Sequence, residues 1–247
     1  MAQHSVTLAS QTDLPGFRRE ARALLAGLVP PEEAQWDARV TQELRTEARG
    51  IQGRLEEKPP SGVNLVLPRS FLSLCNMVIL HHDPARFALL YRLLWRLVHE
   101  PGLHRDPHDD DRLRALHMAR SVRRDIQKMR SQVRFRTIRH TTDGEPLQIA
   151  WFAPDHYIVE AVAPFFMRRM PHARWAVLTP EGCVRGWGDS LEFGPGVRGE
   201  SGMGRDAAEA AWLDCYHRVF RADQAPSPLS SGKDSEPGRS FRPDSVP

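Results

Sequence analysis

The sequence predicts an α+β fold: a helix-rich single domain with a small antiparallel sheet, built from hairpins, in its second half. Three observations predict it. Apolar residues return at helical spacing along most of the chain as far as Val133, and from Val133 the period drops to two. Two apolar runs rich in β-formers, "LQIAWF" and "WAVLTPEGCVRGW", then follow, each with a turn signal beside or within it.

"TDLPGFRREARALLAGLVPP" offers Asp13 as N-cap, Phe17, Ala21, Leu24 and Leu28 on one face, and Gly27 with Pro30 as a stop. "EEKPPSG" is a loop or linker. "LPRSFLSLCNMVILHHDPARFALLYRLLWRLVHEPG" divides into two helices. Asp83 caps the second and Pro84 takes its first helical position, and Phe87, Leu90, Tyr91, Leu94 and Val98 form its buried stripe. "HEPGLHRDPHDDD" is an exposed loop. A long helix follows and ends near Arg130 to Gln132. Its apolar stripe takes in Leu113, Leu116, Ala119, Val122, Ile126, Met129 and Val133.

"VRFRTI" and "LQIAWF" flank an Asp-Gly turn signal in "TTDGEP", and "WAVLTPEGCVRGW" turns at Pro180-Glu181-Gly182, so two hairpins are expected. Between them "YIVEAVAPFFMRRM" is helical, with Pro164 kinking or restarting it. "GRDAAEAAWLDCYHRVF" is the last helix, with Asp206 and Glu209 in capping-box positions and Trp212, Tyr216 and Phe220 stacked along it. From Arg221 on, 13 of 27 residues are Pro, Ser or Gly, the composition of a disordered tail. The domain therefore covers 1–220 and the tail 221–247.

Composition excludes several classes. The cysteines, Cys75, Cys183 and Cys215, are three in number, far apart and without a CxxC, so neither a disulfide framework nor a zinc cluster is implied. The N-terminus has neither the basic nor the apolar segment of a secretory signal, and no apolar run is long enough for a membrane span. A cytoplasmic protein is expected. No motif asks for a cofactor or a metal: P-loop, HExxH and nucleophile elbow are all missing.

Charge is the informative feature. The net charge is +3, yet from Arg112 to Arg139 ten Lys and Arg face Asp125 alone, a local +9. At roughly 100° per residue, Arg120, Arg123, Arg124, Gln127 and Arg130 lie opposite the apolar stripe. Asp125 lies at the stripe's edge, within reach of Lys128. Most charged helix faces are simply solvated, but those mix signs; a face this poor in acids suits phosphates. Arg134 and Arg136 carry the charge into the following strand, and Arg168 and Arg169 close the helix after it. Interleaved Phe135, Trp151, Phe152, Phe165 and Phe166 add a stacking option for single strands, although most such rings serve a core.

"RRDIQKMRSQVRFR", "AWFAPDHYIVEAVAPFFMRR", "RWAVLTPEG" and "WGDSLEFGPG", in this order and at these distances, resemble a bacterial family of proteins assigned to DNA metabolism or repair. The likeness runs from "VTLASQTDLPGF" to about Phe220. In that family the domain occurs alone or fused upstream of a uracil-DNA glycosylase-superfamily module, and its genes often accompany a radical-SAM DNA-modification protein. The resemblance implies a setting and partners, DNA and one of those two proteins, without a reaction. This chain departs from the pattern after Phe220, where "RADQAPSPLSS" replaces an Asn-Pro-Ala-Arg-Leu-like segment, and at Gln127, where many relatives carry His. The motifs of a uracil-DNA glycosylase itself are not present.

For catalysis the best candidates are Asp155 and His156 in "WFAPDHYIVE", between a strand and a helix, where His can serve as general base and Arg168 or Arg169 can bind phosphate. A cap and a hydrogen-bonded surface histidine explain the same pair more simply. "HRDPHDDD" has metal-ligand residue types without regular spacing, and His81, His82 and Asp83 read as a helix end followed by a cap. "GPGVRG" matches GxGxxG formally but lacks the βαβ context, and is read as a glycine loop. The leading expectation is thus an accessory protein that binds nucleic acid through a basic helix-strand surface. A nucleic-acid-acting enzyme using Asp155 and His156, or a protein-interaction adaptor, are the alternatives.

Overall fold

The computed structural model describes residues 4–38, 67–100, 102–103, 106–138, 145–197 and 208–221. Strand β1 (His4–Thr7) pairs in parallel with β2 (Ala34–Asp37), and helix α1 (Leu14–Ala26) lies between them in the chain. Helices α2 (Arg69–Val78), α3 (Arg86–His99) and α4 (Asp110–Gln132) follow. The main sheet comprises β3 (Arg136–Ile138), β4 (Leu147–Trp151), β5 (Arg174–Leu178), β6 (Gly182–Trp187) and β7 (Ser190–Pro195), in that spatial order. Helix α5 (Val159–Arg169) connects β4 to β5, and α6 (Glu209–Arg221) closes the described chain.

The α+β class and the second-half sheet are as the sequence predicts, with one refinement. Both expected hairpins form, as β3–β4 and β5–β6, and β6–β7 adds a third antiparallel pair. The two inner strands β4 and β5, however, run parallel. Parallel neighbours need a crossover long enough to return the chain, and α5 is that crossover. The helix runs through Pro164 unbroken, and that residue's missing N–H costs it one intrahelical bond. The third hairpin turns on Gly188, whose φ of +56° suits glycine, between paired Trp187 and Ser190.

The sheet is buried on both faces, which explains the unbroken apolar run in "RWAVL". Trp175 and Val177 join Ala150 in the large core shared with α1 to α5, while Ala176 and Leu178 join Ile149 under Trp212, Cys215, Tyr216 and Phe220 of α6. Successive strand residues point to opposite faces, so a strand covered twice cannot alternate in polarity.

Several sequence details need correcting. Asp13 does cap α1, accepting from the Gly16 amide at 2.8 Å, but Leu28 falls beyond the helix end at φ +54° and is exposed. Val98 and Leu113 are likewise exposed, because α3 and α4 bury narrower stripes than their periodicity suggests. Helix α3 starts at Arg86, with Pro84 and Ala85 in a turn whose Ala85 amide donates to Asp83. The arginine-bearing strand starts at Arg136, not Val133. The linker 56–62, the Asp143-Gly144 turn, His104 and Arg105 of the acidic loop, Arg198, Arg205, Asp206 and the tail from 222 lie outside the described residues. Among the described residues no helix is long and apolar enough to cross a membrane.

The start of α4 is fixed by charge. Asp109 caps it through the Arg112 amide and pairs with Arg96 at 2.7 Å, and Asp111 receives Arg92 in a two-pronged bond of 2.6 and 2.9 Å. The Arg92 hydrogen bonds hold the Asp111 carboxyl below its ordinary value. A depressed folded-state pKa contributes stability above the ordinary carboxylate range, and that contribution is lost as pH falls through about 4 and below. Asp111→Asn should therefore lower stability at pH 7 by about 1 kcal/mol and flatten its acid dependence, measured by urea denaturation at pH 7 and pH 3.5.

Candidate functional site

Helix α4 carries three functional sectors around its axis. At roughly 100° per residue, Ala115, Met118, Val122 and Met129 turn to the core, and each is buried. Beside them Arg114, Ser121, Asp125 and Lys128 form a line along the helix. The next sector holds Arg124, Arg120, Gln127, Arg123 and Arg130, all exposed.

The middle line meets two loops distant in sequence. Arg114 pairs with Asp83 at 3.1 Å, Ser121 Oγ lies 2.9 Å from Nε2 of His156, and Lys128 reaches Asp155 at 3.5 Å. Asp125, read from sequence as an edge partner of Lys128, is buried instead. Its Oδ2 accepts from the backbone amides of Asp155 and His156 at 2.9 and 3.0 Å, so one carboxylate holds the turn after β4 against α4. Its Oδ1 has no hydrogen-bond partner among the described residues. Burial raises the Asp125 pKa against the opposing pull of the two amides.

The second loop ends α2. Tyr157 donates its amide to the Leu80 carbonyl at 2.9 Å, which joins the two loops backbone to backbone. His81, His82 and His156 then come together, with ring centroids 4.3 to 5.1 Å apart and a nitrogen of each within 4.8 Å of the others. His82 Nδ1 faces His156 Nδ1 at 3.1 Å, and His81 Nδ1 accepts the Asp83 amide at 3.1 Å. His81 and His156 are buried and His82 is exposed. Burial, helped by the neighbouring rings, lowers the His81 pKa to about 4, and burial with His82 and Arg124 lowers that of His156. Both shifts favour the neutral imidazole.

A buried guanidinium frames this cluster. Arg86 donates to the carbonyls of Ile79, Asp83 and Gln11 and to the Gln11 side chain at 2.6 to 3.1 Å, and lies over Phe87 and near Tyr157. Its hydrogens bind carbonyl oxygens on both sides of the histidine pair.

The structure distributes the sequence-predicted residues unevenly. Arg120, Arg123 and Arg124 are exposed and make no ion pair among the described residues. Arg130 lies over Phe165 at 5.2 Å, which brings it to the last turn of α5, where Arg168 and Arg169 are exposed. Arg134 is exposed and donates to the Ser131 carbonyl at the end of α4. Arg136 is only half-exposed and stacks on buried Trp212 at 4.5 Å, a packing contact. Asp155 is exposed and directed to Lys128; the hydroxyl of Ser121, not the Asp155 carboxylate, partners His156. Arg168 and Arg169 end α5 while His156 precedes its start, so about 14 Å of helix rise separates them. Of the candidate rings, Phe152 and Phe166 are buried, and Phe135, Trp151 and Phe165 are partly so. Sequence reasoning missed His81 and His82 as neighbours of His156, and Ser121 and Asp125 as its supports. The only available signal was Asp125 itself, an acid on a buried face.

Fold and site together define an α+β domain in which the helix that carries the basic face also supports, through Ser121 and Asp125, one of the two loops of a three-histidine cluster. Residues 84–227, more than half of the chain, match the family of the domain of unknown function DUF4130, and the chain belongs to that family. The matched span contains Ser121, Asp125 and His156 and begins just after His81 and His82. No curated protein and no solved structure matches the chain.

Asp125→Ala leaves two inward amides without their acceptor. It should cost about 3 kcal/mol by denaturant titration. Ser121→Ala, which removes one side-chain bond, should cost about 1 kcal/mol and shift the His156 ring nitrogens in NMR spectra.

Proposed function

We propose that the protein binds nucleic acid through the exposed arginine face of α4, continued by the end of α5, as an accessory to an enzyme of DNA metabolism. One observation carries the reading: Arg120, Arg123 and Arg124 are exposed, adjacent and without acidic partners among the described residues. A protein that only needed solubility would mix signs here; unpaired guanidiniums on a rigid helix are suited to phosphate oxygens, which they bind in two-pronged fashion. The face continues past Arg130 to Arg168 and Arg169, with half-buried Phe165 beneath Arg130. Such a surface follows a phosphate backbone and reads little sequence.

The resemblance to DNA-metabolism proteins supplies the partner: a uracil-DNA glycosylase-superfamily or radical-SAM protein acting on the strand this domain holds. In this reading the chain presents substrate and does not transform it. Asp155 and His156 support that division, because Asp155 is engaged by Lys128 and His156 is buried against Ser121.

Fluorescence anisotropy with single- and double-stranded DNA at 50 and 200 mM salt tests the reading. Binding should weaken steeply with salt, and Arg120→Glu, Arg123→Glu and Arg124→Glu should each reduce the log–log slope by about 0.9. Binding at low salt that these variants leave unchanged would rule out the α4 face. An absence of DNA binding alongside a stable complex with an acidic protein would favour the adaptor reading instead.

A further inference from the structure

We propose that His81, His82 and His156 form a binding site for one divalent transition-metal ion of the zinc type. The two loops that supply them are separated by 74 positions, yet a nitrogen of each ring lies within 4.8 Å of the others. The pair His82 Nδ1 and His156 Nδ1 is 3.1 Å apart. Two nitrogens bound to one tetrahedral zinc at about 2.0–2.1 Å stand about 3.3 Å apart, so this pair is already at ligand spacing. His81 is farther from closure: it joins by exchanging its bond from the Asp83 amide for the ion.

Tautomers agree with this assignment. In the empty site His156 Nδ1 accepts the His82 backbone amide at 3.4 Å and can share one proton with His82 Nδ1, bonds that an ion would replace. An ion between them uses both lone pairs and sends each ring's proton to Nε2. For His156 that Nε2 lies 2.9 Å from Ser121 Oγ, which accepts the proton's hydrogen bond. A ligating histidine usually has such a support for its outer nitrogen, which fixes ring and tautomer.

The surroundings select the class of ion. Imidazole nitrogens favour zinc, nickel or copper over magnesium or calcium, which take oxygen ligands. Asp83 and Asp155 stand next to the ligands and offset the positive charge of Arg114 and Lys128, with which they pair. Arg124 is near enough to lower the His156 proton affinity and so sets a cation in the ion's neighbourhood. Three protein ligands with one ring exposed leave a fourth position open to water or another oxygen ligand. The ligands are none of the arginines, so loss of the ion and loss of nucleic-acid binding are read separately.

The test uses the full chain without nucleic acid. Chelator-stripped protein is incubated with zinc, gel-filtered, and its metal content measured; cobalt replaces zinc for absorption spectra, and thermal midpoints are recorded with and without ion. One zinc per chain is expected, with a rise in midpoint and visible cobalt bands of a nitrogen-ligated site. His82→Ala and His156→Ala should lose the retained ion, and Ser121→Ala should weaken binding by about 10–100-fold. His172→Ala, at an exposed histidine away from the cluster, should change nothing. Because His82 is exposed, circular dichroism of the metal-free His82→Ala protein checks that its fold is kept. No retained ion, or equal retention by His82→Ala and wild type, overturns the site and marks the cluster as a hydrogen-bonded histidine stack only.

Discussion

The architecture around the candidate site depends on one buried cation. Arg86 is wholly buried and makes no ion pair among the described residues, so burial lowers its pKa to about 10, still far above neutrality. A buried charge is tolerated only when its hydrogen-bonding capacity is met. Here carbonyls meet it: Ile79 and Asp83 on either side of the histidine pair, and Gln11 from the loop before α1. The guanidinium fork needs these oxygens at fixed angles. That demand sets the path of the chain between α2 and α3 and ties the N-terminal strand-helix unit to it.

Asp125 plays the reciprocal part on the other loop. A buried acid that accepts two consecutive amides positions backbone rather than a single side chain, so the turn from Asp155 to His156 is registered against one turn of α4. The Tyr157 to Leu80 amide bond then joins the two loops directly. Arg86 orders the loop of His81 and His82, Asp125 orders that of His156, and the rings meet because their backbones are fixed separately. Such supports leave little freedom for the rings to drift apart, which is what a site of defined geometry requires.

Legibility in the sequence followed the range of each interaction. Capping by Asp13, the long α4, both expected hairpins and the stacked aromatics of α6 depend on residues near one another, and period or turn chemistry reveals them. The parallel pairing of β4 with β5 was not legible, since an apolar run covered on both faces loses the alternation that distinguishes strand arrangements. Leu28, Val98 and Leu113 misled because periodicity reports which residues could face a core and not where the core ends. The arginines of α4 could be placed on one face from spacing alone. The histidine cluster could not, because His82 and His156 are brought together by a tertiary contact that no local pattern encodes.

The two features of α4 also constrain each other. Ser121, Asp125 and Lys128 occupy the line between the core stripe and the arginine face, so the helix cannot rotate to expose more arginine without pulling Asp125 from its amides. Nor can the His156 loop move away without breaking the Asp125 bonds to the Asp155 and His156 amides and the Ser121 contact to His156. Lys128 is drawn toward Asp155 and so contributes little free charge, which leaves Arg120, Arg123 and Arg124 as the cations most available to an incoming polyanion. Arg124 lies at the boundary, close enough to His156 to lower its proton affinity. A phosphate bound at Arg124 would therefore sit next to the histidine cluster, and its negative charge would favour a cation there. Any ligand of the basic face and any ion of the cluster would then be electrostatically coupled through this one residue.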